Sequence, residues 1–181
     1  RKQREEMWRM YIAGEYGGMN ESMGRLYEIT KNPDYLETAK MFDNRALFAG
    51  LSHGRDTITG IHANQHIPQI IGAMEEFRAT GDPHYYHLAR NFWELVVNRY
   101  MYSIGGVGRG ENFREPGLLA KNIEGGRNCE TCATYNMIKL TGMLYQYAPD
   151  HSAYMDYCER ALANHIAASQ NPKVRRSAHH G

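Results

Sequence analysis

A nine-residue pattern returns once along this chain, and that return limits the fold more than any other feature. Tyr27-Glu28-Ile29-Thr30-Lys31-Asn32-Pro33-Asp34-Tyr35 is answered by Phe77-Arg78-Ala79-Thr80-Gly81-Asp82-Pro83-His84-Tyr85, and Ala39 and Phe42 by Ala89 and Phe92. The shift is about 50 residues, in the range of stacked supersecondary units. Each copy reads as a helix, a short turn containing Pro, and a second helix. A weaker third copy runs through Leu144, Tyr145, Pro149, Tyr154, Cys158 and Ala161. One such hairpin cannot bury both of its apolar faces, so the hairpins must stack. A closed ring of hairpins, an (α/α) barrel, is one solution, and an open solenoid is the other.

Helical spacing supports this reading. Met19, Met23, Leu26, Tyr27 and Thr30 share one face, and Tyr35, Leu36, Ala39, Phe42 and Ala46 another. Ile67, Ile70, Ile71, Met74 and Phe77 repeat the spacing, as do Tyr85, Leu88, Ala89, Phe92 and Val96. Alternation of strand type is nearly absent, so the expected class is all-α. The 181 residues suffice for one domain with a real core. With 21 basic and 20 acidic residues there is no electrostatic footprint for nucleic acid. No apolar run is long enough to span a bilayer. The chain begins at Arg1 rather than Met, so the lack of a visible signal peptide leaves the compartment open. Cys129, Cys132 and Cys158 make no disulfide framework.

The unusual residues lie between the hairpins. Gly14 to Glu21 reads GEYGGMNE, Gly60 to Pro68 reads GIHANQHIP, and the long stretch from Gly105 to Cys132 is rich in glycine. Loops of that kind are usually functional, and at matching ends of successive hairpins they would converge on one rim. Cys129-Glu130-Thr131-Cys132 opens a helix and offers half of a zinc site, or else two partly buried free thiols. Glu111, with Glu115 nearby, sits in a loop where a carboxylate can serve a glycosidic oxygen as general acid, or lie solvated. His62, Asn64, Gln65 and His66 form a polar knot able to read sugar hydroxyls, with Asn64 as a cap the plainer assignment. Glu15, Asn20 and Glu21 flank Gly17-Gly18, Asn20 reading as the cap of the first helix, and Cys158 reads as a small core residue.

Taken in order, GEYGGMNESMGRLYEIT, GIHANQHIPQIIGAME, FWELVVNRYMYSIGGVGRGENF, CETCATYNMIKLTGMLY and YMDYCERALANHIAASQNP resemble the β-L-arabinofuranosidase families, glycoside hydrolase families 127 and 146, over residues 10–172. The resemblance implies a catalytic (α/α)6 barrel followed by β-sandwich domains. Residues 1–172 are then a partial (α/α)6 barrel of helical hairpin repeats, and 173–181 a divergent basic tail expected to be disordered. It further implies retaining hydrolysis of β-L-arabinofuranosides by a zinc-bound cysteine nucleophile. The general acid/base of that pattern falls on Glu111, and two zinc ligands fall on Glu130 and Cys132. The other two zinc thiolates, one of them the nucleophile, belong to a segment further downstream. Cys129 is no constant part of the pattern. His62 and Gln65 fall in a loop that lines the sugar pocket.

On this reading the sequence is a truncated member of the group. It carries the acid/base and half of the zinc site, takes arabinofuranosyl-containing carbohydrate as its partner, and is expected to be inactive as a hydrolase by itself. Hairpin faces left uncovered would favour self-association. A non-catalytic helical-repeat module binding carbohydrate or protein is the alternative. Other (α/α) barrel chemistries, sugar epimerases or unsaturated-uronide hydrolases, need no thiolate metal site.

Overall fold

The computed structural model describes residues 17–124, 126–171 and 176–177. Glu15 and most of the basic tail, including Lys173 and Arg175, lie outside the described residues. The first hairpin pairs α1 (Met19–Thr30) with α2 (Pro33–Met41), and α3 (Arg45–Ser52) follows. The second pairs α4 (Ala63–Thr80) with α5 (Pro83–Leu95), which runs on into a π-helical turn, Val96–Tyr100. A 3-10 turn (Pro116–Leu118) and the short α6 (Leu119–Ile123) interrupt the long loop. The third hairpin pairs α7 (Thr131–Tyr147) with α8 (Ala153–Ala161), and a second π-helical turn, Leu162–Ala167, continues α8. Strand β1 (Gln170–Asn171) pairs antiparallel with β2 (Arg176–Ser177). All the other regular elements among the described residues are helical, so the fold is all-α.

The repeated nonapeptide is a repeated turn. Lys31 and Gly81 end α1 and α4 in the left-handed region, at φ 57° and 71°. Each sends its N–H 2.7 Å back to the carbonyl four residues earlier, on Tyr27 and Phe77. Asn32 and Asp82 then cap α2 and α5 by accepting from the N–H groups of Asp34 and His84 at 3.0 and 2.9 Å. Pro33 and Pro83 fill the first helical position, where no N–H is needed.

The leading helices stand side by side, α1 along α4 and α4 along α7, while α3 and α7 both pack on α5. The core lies between these layers. Ile67, Ile70, Ile71 and Met74 of α4 are fully buried, as are Leu88 and Phe92 of α5 and Met137, Leu140 and Leu144 of α7. Trp93 closes the core with its ring edge-on to Tyr154 at 4.6 Å, its indole N–H donating to Thr141 Oγ1 at 2.8 Å.

Three expectations fail locally. The buried face of α1 is Asn20 and Gly24, not the Met19/Met23/Leu26 stripe, and Leu26 and Thr30 are exposed. The helices meet at their backbones there: Gly24 lies on Glu75, and a Cβ on Gly72 would collide with the Asn20 amide. Asn20 is therefore no cap. Its Nδ2 donates to the Gln69 carbonyl at 2.9 Å, and Gly18 takes the cap position. The Tyr35–Ala46 stripe is also broken, because Asn44 caps a new helix through the Leu47 N–H at 3.2 Å and leaves Ala46 exposed.

A chain of ion pairs crosses the leading helices. Lys139 of α7 reaches both Glu21 oxygens of α1 at 2.6 and 2.7 Å, and Arg25 links Glu21 to Glu75 of α4 at 3.2 Å each. Arg78 continues it to Glu28 at 2.6 Å. Among the described residues no helix is long and apolar enough to cross a membrane.

Candidate active site

The loops that lead into α4 and α7 are stitched together at one rim. His62 pairs with Asn112, and Arg109 with both Asn112 and Asn128, as isolated antiparallel bridges. Gly110 N–H donates to the Arg127 carbonyl at 2.8 Å and Cys129 N–H to the Gly108 carbonyl at 3.0 Å. The turn at 109–112 is thus clamped on one side to the start of α4 and on the other to the start of α7. That clamp holds Glu111, Arg127 and Cys129 in the left-handed region, at φ 68°, 59° and 58°. Non-glycine residues there carry of order 1–3 kcal/mol of strain, which persists only where the surroundings impose it.

Glu111 is bound to α4 twice. Its carbonyl accepts from the Ala63 N–H at 2.8 Å. Its Oε2 lies 3.0 Å from His62 Nε2. His62, not Asn64, is the N-cap of α4, and its Nδ1 accepts from the Gln65 N–H at 3.3 Å. An imidazole accepting at Nδ1 carries its proton on Nε2, so His62 donates to Glu111. The helix N-terminus adds positive potential beside the same carboxylate.

On the far side, Glu130 takes the N-cap position of α7, and Cys132 Sγ stands 3.4 Å from Glu130 Oε2. Burial, and next the neighbouring Glu130 carboxylate, push the Cys132 thiol up to about 11. Burial alone pushes Cys129 up to about 12. Glu111 and Glu130 line one narrow hollow, together with Asn64, Arg127 and Gly108. Asn136 Nδ2 ties α7 to Asn64 Oδ1 at 2.8 Å.

Comparison with protein families matches residues 1–178 to the catalytic domain of β-L-arabinofuranosidase GH127. The chain belongs to that family. Two solved members share the fold. One is the GH127 β-arabinofuranosidase BT3674, at 23% identity, a TM-score of 0.61, and coverage of 84% of this chain and 25% of that one. The other is Ara127N-Se, a GH127 β-L-arabinofuranosidase from Geobacillus stearothermophilus T6, at 19% identity, a TM-score of 0.60, and coverage of 84% and 28%. The chain thus spans about a quarter of the length of these structures. Comparison with curated proteins finds no match.

The family suggests zinc, and the donors present can be tested for fit. Two ligands of one tetrahedral zinc, at roughly 2.3 Å for sulfur and 2.1 Å for oxygen, stand about 3.6 Å apart. The Glu130–Cys132 separation of 3.4 Å suits such a pair. Among the described residues no third ligating side chain joins them. Cys129 points elsewhere, its Cβ and Sγ packed on Gly106 and beside His165. Gln65 contributes backbone at the rim, its carbonyl lying against Gly17. Gln65 is not among the residues that line the hollow, whereas Asn64 and Arg127 are. Cys158, half-buried, packs against the core.

Proposed function

We propose that this chain carries the acid/base and two of the metal ligands of a retaining, zinc-thiolate β-L-arabinofuranosidase acting on β-L-arabinofuranosides of plant glycans or glycoproteins. One observation carries the reading: two segments 19 residues apart bring Glu111 and Glu130 to one hollow, with Cys132 beside Glu130 at ligand-pair spacing. Glu111 donates a proton to the leaving glycosidic oxygen and later takes one from the incoming water. His62 Nε2–H, 3.0 Å from Oε2, holds that carboxyl in place. Glu130 and Cys132 would hold zinc, which when bound keeps thiolate ligands deprotonated at neutral pH. Asn64 and Arg127 offer amide and guanidinium donors to sugar hydroxyls from the hollow's wall.

Among the described residues no cysteine lines the hollow to serve as the nucleophilic thiolate of this mechanism. These 181 residues by themselves should therefore bind metal weakly and hydrolyse nothing. Titration with cadmium, read by sulfur-to-metal charge-transfer absorption, should show binding that Cys132→Ser and Glu130→Gln abolish and Cys129→Ser leaves intact. Release of arabinose from an aryl β-L-arabinofuranoside by the 181-residue chain would overturn the proposed division of labour. Cadmium absorption that survives Cys132→Ser would overturn the ligand assignment.

A further inference from the structure

Three arginines gather at the turn that carries Glu111. Arg109 lies two residues before it, and the Arg109 backbone bridges to Asn112 just after it. Arg114 folds back over the turn. Its Nε donates to the Arg109 carbonyl at 2.9 Å, and a Cβ on Gly110 would lie 3.4 Å from its Nη2. Arg109 Nη1 in turn reaches the Lys121 carbonyl at 3.4 Å. Arg127 lines the hollow with Glu111, and its own carbonyl accepts from the Gly110 N–H at 2.8 Å.

The partners of these side chains are neutral. Elsewhere in the chain Arg25, Arg78, Arg90 and Arg99 each meet a carboxylate oxygen at between 2.6 and 3.6 Å. Arg109, Arg114 and Arg127 form no ion pair among the described residues. Glu111 is engaged by His62. Glu115 and Glu124, the other acids of the same loop, are exposed and also unpaired among the described residues. A backbone carbonyl steadies a guanidinium without cancelling its charge, and each guanidinium has five N–H donors. Arg109 and Arg114 each use one and keep the rest for a ligand. With 21 basic and 20 acidic residues the chain has no general attraction for polyanions, so what these arginines offer is local.

Their position says which part of a substrate they meet. A general acid stands beside the oxygen it protonates, and that oxygen departs with the leaving sugar. Groups clustered on the Glu111 turn therefore face the leaving side of the bond. We propose that this rim is a leaving-group subsite for a uronate, in which Arg109 and Arg114 bind the carboxylate of an acidic sugar bearing the arabinofuranosyl unit and Arg127 adds its charge from the hollow. The planar fork of a guanidinium matches a carboxylate with two parallel bonds, which an ammonium cannot do. The proposal rests on Glu111 acting as the acid/base.

Tetragalacturonate and its methyl ester share one sugar chain and differ in charge, which makes them the probes. Binding to the 181-residue chain is followed by NMR on the arginine Nε–Hε resonances at low ionic strength. The acid should bind about tenfold more tightly than the ester, shift Arg109 and Arg114, and release in 1 M salt. Arg114→Gln and Arg127→Gln should each weaken it about fivefold, with Arg114→Lys restoring only part of the loss. Arg99→Gln removes a guanidinium already paired with Asp56 and should change nothing. Equal affinity for acid and ester, or an equal loss in Arg99→Gln, would overturn the proposal. So would tripolyphosphate that binds as tightly with the same arginine dependence, the mark of an unselective anion site. A tetragalacturonate carrying one β-L-arabinofuranosyl group should also shift the Glu111 side-chain resonance, which the uncapped acid leaves in place. Acid-selective binding without that Glu111 shift would instead overturn the catalytic reading on which the subsite rests.

Discussion

Glu76 should be a liability of this fold at neutral pH, and Glu76→Gln should remove it. The side chain is fully buried at the contact of α4 with the α2–α3 junction. Neither of its oxygens, nor Asp43 Oδ1, has a hydrogen-bond partner, while the other Asp43 oxygen accepts from Tyr85 OH at 3.0 Å. Two carboxyls without donors can be joined only by a proton carried on one of them. Burial, and then the charge of Asp43, push Glu76 up to about 10 from an ordinary 4.5, so at pH 7 it is the protonated partner. A group whose pKa is raised in the folded state favours folding most below its unfolded value, and that advantage fades as pH climbs toward the folded value. At pH 7 the folded chain must keep protonated a group that would ionise if released, across two and a half pH units at roughly 1.4 kcal/mol each, or about 3 kcal/mol as a ceiling. Glutamine is isosteric, neutral at every pH, and its amide can donate to Asp43. Urea unfolding followed by far-ultraviolet circular dichroism should find the two proteins nearly equal at pH 4.5. The variant should lead by up to about 3 kcal/mol at pH 7, with the gap still widening at pH 8. A gap that does not change with pH, or a variant less stable than its parent at pH 7, would refute the shared proton.

Four further outcomes test the fold. Gly72→Ala should destabilise by about 1–3 kcal/mol, because the new methyl group enters the space of the Asn20 amide. Gly142→Ala, where a Cβ meets open space within α7, should stabilise by roughly 0.5–1 kcal/mol, and thermal unfolding of the two variants should move in opposite directions. Thr141→Val leaves the buried Trp93 indole N–H without its acceptor and should cost about 1–3 kcal/mol in urea unfolding, with Thr141→Ser recovering most of it. Lys139→Met should cost about 0.5–1 kcal/mol at low ionic strength, and the difference should vanish in 1 M salt, since the pair with Glu21 is partly exposed.

The repeat and the α4 and α5 stripes were legible because apolar burial writes itself into sequence at helical spacing. Ile67, Ile70, Ile71 and Met74 are buried where the period places them. Helix α1 was misread because its tight face is built of Asn20 and Gly24, and close backbone approach leaves no hydrophobic mark. The same holds at the rim. Glu111 and the Glu130–Cys132 pair stand out as residue types, but nothing local says that they share a hollow. Three-dimensional bridges from Arg109 to Asn112 and to Asn128 decide that. Asn64 lay in plain view within the knot before α4, yet its bond to Asn136 spans 72 residues and no local pattern reports it. Arg127 carries no signal of its own, because its place at the hollow comes with a backbone twist.

Strain and clamp at the rim are one design. Glu111 and Cys129 occupy a backbone region that their side chains disfavour, and each is held there by bonds to segments distant in sequence: Ala63 and His62 for the first, Gly108 for the second. Glycine would adopt these angles without strain but would bring neither carboxyl nor sulfur. A loop free to choose its own conformation would abandon them. The hairpins supply what such residues need, a stack of leading helices whose buried core fixes the spacing between them. The candidate site thus lies where the local sequence is least content with its conformation and the tertiary structure is most insistent on it.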